Sequence, residues 1–225
     1  MSVVGIDACK QGWIAIALRG DDDAQGHFIT TLDMLLDDVP DAQAVAMDIP
    51  IGLPSIGRRQ ADVAARRFLG PRRSSVFFTP VREALMASTH REASALSKQI
   101  TGYGISEQAY ALAPKILEAE RWSATVPIPV WEVHPEVSFA VMMTHAARSP
   151  KSTWSGMWER LRVLEQARIS LRHVGQAGER AGPDDVLDAA AAAWSARRLH
   201  QGQGICMPDP PEAVPDSSNP VAIWA

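Results

Sequence analysis

Apolar positions in the first fifty residues fall in short blocks separated by turn residues, with no sustained helical spacing. Ser2-Val3-Val4-Gly5-Ile6-Asp7 is such a block and ends in an acid. Its β-branched content predicts a buried strand. A turn over Cys9–Gly12 leads to a second strand, Trp13–Leu18, and Gly20-Asp21-Asp22-Asp23 reads as another turn. His27–Thr30 is a weaker third strand, so the opening predicts an antiparallel meander. Leu32–Val39 reads as a short helix with Leu32, Leu35 and Leu36 on one face. Ala44–Met47 is a fourth strand, ending at Asp48.

The rest of the chain is mostly helical. Ile49–Pro54 cannot be regular, because its prolines and glycine break both helix and strand. From Arg58 to Trp122 helical segments are interrupted at Gly70-Pro71, Thr79-Pro80 and Gly102-Tyr103-Gly104. Ile128–Val133 is a fifth strand, which Pro135 is expected to end, and Met157–Val174 reads as a long amphipathic helix. Glu179–Gly182 is a loop. Pro183 then opens a last helix reaching about His200, with acids in its first turn. The tail from Gly202 is rich in proline and acid and is expected to wrap the surface, with Val221–Trp224 adding an edge strand. The expected fold is α/β: a mixed five-stranded sheet flanked by helices. We expect one domain, 1–225, with a helical insertion over about 55–125 and a tail from about 202.

Composition narrows the chemistry. The 225 residues include only two cysteines, Cys9 and Cys206, in no C-x-x-C pair, so a disulfide scaffold and a zinc ribbon are excluded. No apolar run is long enough for a membrane span and the start lacks signal-peptide features, which points to a cytoplasmic protein. The net charge of −4 lacks the basic excess of a nucleic-acid coat protein. Any nucleic-acid contact must be local. The arginines do cluster, at Arg58-Arg59, Arg66-Arg67, Arg72-Arg73 and Arg82, which is either a binding patch or a solvated helix face.

Three acids, Asp7, Asp48 and Glu132, stand at or next to the ends of predicted apolar strands. Core packing does not explain them, because a buried unpaired charge is costly. If the three strands run parallel and adjacent, their C-terminal ends meet at the edge where α/β sheets bind ligands. Carboxylates brought together repel unless a cation sits between them, and hard oxygens select Mg²⁺ or Mn²⁺. Asp185 and Asp188 share one face of the last helix and can complete such a site. Asp184 and Asp185 have a second reading, as favourable charges at a helix N-terminus; Asp188, a turn further in, does not. Asp7 and Asp48 can also be read as turn caps. Whether Glu132 or Glu136 faces the site depends on strand parity. His134 either contacts substrate or is structural. Ser74 and Ser75 beside Arg72-Arg73 either hold a phosphate or cap the next segment. Trp131 reads as core.

Five motifs occur in order: Gly5–Trp13 (Gly-Ile-Asp-Ala-Cys-Lys-Gln-Gly-Trp), Met47–Pro54, Arg72–Phe77, Glu132–Phe139 and Asp184–Ala189. Together they resemble the DUF429 family, whose members are predicted to be ribonuclease H-like nucleases. The resemblance covers nearly the whole chain. It implies a ribonuclease H-like sheet with its first three strands antiparallel. Asp185-x-x-Asp188-Ala189 is also similar to the last acidic motif of RuvC-type resolvases. These likenesses imply metal ligation by Asp7, by Asp48 or Glu132, and by Asp185 and Asp188, with Asp7 bridging. They imply a metal-dependent phosphodiester hydrolase of unassigned substrate, using two Mg²⁺ or Mn²⁺ about 4 Å apart. Lys10, or an arginine such as Arg72, Arg73 or Arg82, would neutralise the phosphate.

Three other readings compete. An actin- or sugar-kinase-like ATPase needs a glycine-rich phosphate loop, but Ala8-Cys9-Lys10 follows Asp7. A non-catalytic binding or scaffold protein would keep the acidic pocket and show no metal-dependent turnover. A phosphoesterase acting on a small nucleotide rather than nucleic acid would use the helical insertion as a roof.

Overall fold

The computed structural model describes residues 1–20, 23–214 and 220–225. Strands β1 (Ser2–Cys9), β2 (Gly12–Arg19) and β3 (Asp23–Ile29) form the expected antiparallel meander. The turn expected over 20–23 lies partly outside the described residues. Helix α1 (Leu35–Asp38), entered through a 3-10 turn at Leu32–Met34, leads to β4 (Ala42–Asp48), which runs parallel to β1. The expected helical insertion follows: α2 (Gln60–Leu69), a 3-10 segment at Gly70–Ser75, α3 (Arg82–Leu85), α4 (His90–Thr101), α5 (Glu107–Ala111) and α6 (Ala113–Ser123). β5 (Val130–Glu132) then runs parallel to β4 and completes a sheet of order β3-β2-β1-β4-β5. A mixed sheet of this order flanked by helices is an α/β fold compatible with a ribonuclease H-like one.

Beyond β5 the sequence reading needs correction. The strand is shorter than Ile128–Val133, and Pro135 begins helix α7 (Pro135–Met143). His134 is its N-cap: the ring accepts from the Glu136 N–H, and proline fits the first helical position, where no N–H is needed. Helix α8 (Trp154–Gln166) starts three residues earlier than Met157 and stops well short of Val174. Arg168, in the left-handed region at φ 57°, closes it, with the Ile169 N–H bonding back to Leu164 O at 2.9 Å. Thr144, at φ 62°, follows α7 in the same way. Helix α9 (Pro183–His200) has the expected limits. The tail does not merely wrap the surface. Strands β6 (Cys206–Glu212) and β7 (Val221–Trp224) pair antiparallel, and Met207, Val221 and Ile223 pack with α2 and α7 in a separate apolar cluster. β7 meets the main sheet through a single bridge, Trp224 to Val133. Among the described residues no helix is long and apolar enough to cross a membrane.

Alternation along the central strands gives the sheet two different faces. Val4, Ile6, Val45 and Met47 pack on the side of α6 with Trp13, Ile116 and Trp122. The other face is made of small residues, Gly5, Ala44 and Ala46, and takes α9 with its buried run Ala189–Ala193. The approach at Gly5 is so close that a β-carbon there would lie 1.9 Å from Ala193 N and 2.2 Å from Ala189 O. Only glycine fits, and the neighbouring atoms are backbone that cannot rotate away. Gly5→Ala should therefore lower unfolding stability by about 3 kcal/mol in urea titration, at the top of the usual range for overpacking. A variant as stable as the wild type would contradict this contact.

Candidate metal centre

The parallel register pairs Asp7 directly with Asp48 at the C-terminal ends of β1 and β4. Both continue the small-residue face on which α9 lies, because Asp7 follows Gly5, and Asp48 follows Ala46, by two. Asp188 immediately precedes Ala189, the first of Gly5's partners in α9. The three residues each offer a carboxylate oxygen, and these oxygens lie within 4.8 Å of one another. Asp7 and Asp188 are buried at 7% and 2% exposure, and Asp48 is half-buried. Asp7 Oδ1 accepts from the Ala8 N–H at 2.7 Å. Asp188 Oδ1 is buried with no hydrogen-bond partner. An orphaned buried acceptor costs about 1–3 kcal/mol. Beside two further carboxylates, it fits coordination to a cation. The donor set is all hard oxygen, which suits a divalent ion. The acidic trio can bind a divalent metal ion.

The trio lies in a cavity of about 560 Å³. Among the described residues its wall carries eight carboxylates and four cationic side chains, so negative charge is in excess. Burial, then the charges of Asp48 and Asp188, hold Asp7 well above the usual carboxylate range. Burial pushes Asp48 up to about 7 against the pull of Lys151, with Glu132 and Glu136 adding to the rise. Burial likewise raises Asp188 to about 7, opposed by Lys151. Without added cation, this site retains protons at neutral pH.

The other residues expected at the site divide into several groups. Glu132 lines the cavity but does not join the trio. It pairs in register with Met47, so parity turns it to the sheet face away from α9. Arg59 donates to both its oxygens at 2.7 Å, and the Ile51 N–H donates to Oε2 at 2.7 Å. Glu136 is likewise taken, by Arg160 Nε at 2.9 Å. Asp185 borders the cavity, while its carboxylate caps α9 by accepting from the Gly182 N–H at 2.9 Å. His134 lines the cavity with both nitrogens engaged: Nδ1 accepts from Glu136 N, and Nε2 lies 3.2 Å from Ser75 O. Burial pulls its pKa down, and its two contacts tie the Ser75 segment to α7. Arg72, Ser74 and Ser75 line the cavity; Arg73 and exposed Lys10 do not. Arg82 lies elsewhere, paired with Glu120 at 2.7 Å.

Several residues of the site escaped the sequence reading. Lys151, from the loop between α7 and α8, forms an ion pair with Asp188 and lies 3.8 Å from Asp184. Burial opposes its charge, yet Asp188, Asp48 and Asp7 hold its pKa above the ordinary lysine value. No motif surrounds it; its place follows only from where the loop runs. Arg59 and Asp62 are buried and paired through Nη2 at 2.6 Å. Asp62 also accepts from the Thr79 N–H at 2.7 Å. Arg59 further bonds Ile51 O at 3.2 Å, so one guanidinium anchors the irregular segment that follows Asp48. Arg59 is the extended residue that precedes α2, three before Asp62, and its place in the arginine cluster was the available signal.

A family model described as "Protein of unknown function (DUF429)" matches residues 5–213. No match was found among curated proteins or among solved structures.

Asp48 and Asp188 titrate near 7 in the folded protein, against an ordinary 3.8. Between about pH 4 and pH 7 the folded protein thus holds more protons than the unfolded chain, and stability falls as pH rises through that window. In the absence of divalent cations, thermal melts should drop from about pH 5 to about pH 8. Asp48→Asn should remove much of that drop and melt above the wild type at the higher pH. A variant that tracks the wild type at both values would contradict the electrostatic account.

Proposed function

Since the chain belongs to the DUF429 family, whose description names no activity, we propose its function from the geometry: divalent-metal-dependent hydrolysis of a phosphodiester, with a nucleic acid or a smaller nucleotide as substrate. The observation that carries this reading is the trio Asp7, Asp48 and Asp188, with its oxygens gathered within 4.8 Å and one of them buried without a partner. Asp7 is central, flanked by Asp48 in the next strand and by Asp188 from α9. Asp185, at the rim, can complete a second position. Mg²⁺ or Mn²⁺ held there would supply Lewis-acid stabilisation and a water of lowered pKa.

The chain's own groups account for the remaining requirements. Lys151 lends its charge to Asp188, and its flexible stem can turn the ammonium to a phosphate oxygen instead. Arg72 lines the same cavity; its Nε donates to Ala147 O at 3.0 Å, and its buried Nη2 has no partner. That guanidinium, with the exposed hydroxyls of Ser74 and Ser75, is suited to hold a phosphate. The loop bearing them is anchored through Ser75 O to His134. Arg59 and Arg160 are spent on Glu132, Asp62 and Glu136, and serve to hold the wall.

One observation favours a non-catalytic binding protein: Lys151 already gives Asp188 a cationic partner. Metal-dependent turnover, measured beside metal binding, separates the two readings. Calorimetry with Mn²⁺ should show saturable binding by the wild type. Removing a group that only hydrogen-bonds a metal ligand costs about 10–100-fold, so loss of the ligand itself in Asp7→Asn should cost at least about 100-fold. Hydrolysis of bis(p-nitrophenyl) phosphate should require the metal and vanish in Asp7→Asn. Full turnover in that variant, or turnover in excess chelator, would overturn the proposal.

A further inference from the structure

Helix α8 opens with an aromatic pair that the core does not use. Trp154 and Trp158 are one helical turn apart, 73% and 50% exposed. Their rings stack 6° from parallel with centroids 6.2 Å apart. They border a groove of about 580 Å³ with Met142 and Met143. Two arginines line it, Arg148 and Arg162, and neither forms an ion pair among the described residues. The acid in the groove, Glu159, is turned to the backbone, accepting from Arg148 N at 3.1 Å and Ser149 N at 3.2 Å. On a chain of net charge −4, this is a cationic groove with a flat aromatic wall.

The groove adjoins the acid cavity. Lys151 and Ser152 line the cavity, and Trp154 and Ser155 line the groove. Three residues of chain span at most about 10 Å. Since the Lys151 side chain itself reaches Asp188, a strand whose phosphodiester lay at Asp7, Asp48 and Asp188 would reach the tryptophans within a few nucleotides.

We propose that the Trp154–Trp158 groove binds an unpaired polynucleotide strand, its bases stacking on the indoles and its phosphates meeting Arg148 and Arg162. This rests on the phosphodiester reading of the acidic trio and narrows its substrate to a single strand. Stacking on an aromatic face accepts any base, but the base must be free of a duplex stack. A second copy of the chain fits less well. Two-fold pairing through this face would bring the unpaired arginines of both copies together, and like charges across an interface are unfavourable.

The test is fluorescence anisotropy of a labelled oligo(dT) of about twelve nucleotides, within the usual single-strand site size, in EDTA so that catalysis plays no part. The wild type should bind saturably and prefer the single strand to a duplex of the same length. Trp154→Ala should weaken binding about tenfold, from the loss of one stacking contact, with an unchanged thermal melt because the side chain is exposed. Arg148→Gln with Arg162→Gln should weaken binding and flatten its salt dependence. Absence of binding by the wild type, equal binding by Trp154→Ala, or preference for duplex would overturn the proposal. So would wild-type self-association that Trp154→Ala abolishes, if no oligonucleotide binds; the groove would then belong to a second copy. Mn²⁺ binding measured separately on the same protein variants, freed of EDTA, keeps the two readings apart. Metal binding without oligonucleotide binding removes only the groove; the converse removes only the metal centre.

Discussion

The site depends on the approach of α9 to β1, where nothing but hydrogen stands between the helix and the backbone at Gly5. That contact sets the height of the helix over the sheet. The alanines that follow Asp188 pack flat against Gly5, Ala44 and Ala46, so the helix cannot rise or roll without opening a void. Asp188 is thereby held over the strand end that carries Asp7. The parallel β1–β4 register independently places Asp48 beside Asp7. Two packing constraints, one between helix and sheet and one within the sheet, converge on three carboxylates.

Gathering acids in this way is unfavourable by itself, and the surroundings show how the charge is managed. Glu132 and Asp62 share Arg59, and Glu136 pairs with Arg160, which offsets part of their charge. Burial of such pairs is a poor source of stability, but it fixes geometry. The Arg59 pairings hold the irregular segment after Asp48, and the Arg160 pairing ties α7 to α8. The trio itself is left with Lys151 and with carboxyls that hold their protons near neutrality. A divalent cation would displace those protons and use the unpartnered Asp188 oxygen. Folding thus gathers an excess of carboxylates at one end of the sheet, which a bound cation would relieve.

Much of this was legible in the sequence because it is local. The meander, β4 and α9 announce themselves through apolar blocks, turn residues and the Pro183 start. Asp188 stood out as an acid that capping explains poorly, and Asp7 and Asp48 as strand-end acids that packing does not explain, although each also read as a turn cap. What was not legible is what depends on partners distant in the chain. Pro135 reads equally well as the end of a strand or the start of a helix, and only His134 capping Glu136 decides it. The true end of α8 at Arg168 and the turn at Thr144 use left-handed residues that are not glycine, so no composition signal marks them. Glu132 was ambiguous by one residue of parity, and the pairing with Met47 resolves it. Lys151 lies in a loop whose course no local pattern reveals. In the tail, β7 is the strand expected at Val221–Trp224, while its partner β6 was hidden by prolines that argue against a strand.

The most direct test of the central claim is anomalous diffraction from crystals of the protein soaked in Mn²⁺. The account predicts a manganese peak coordinated by Asp7, Asp48 and Asp188, with Lys151 moved off Asp188. A fully occupied manganese site elsewhere, or none beside an undisturbed Lys151–Asp188 pair, would contradict it.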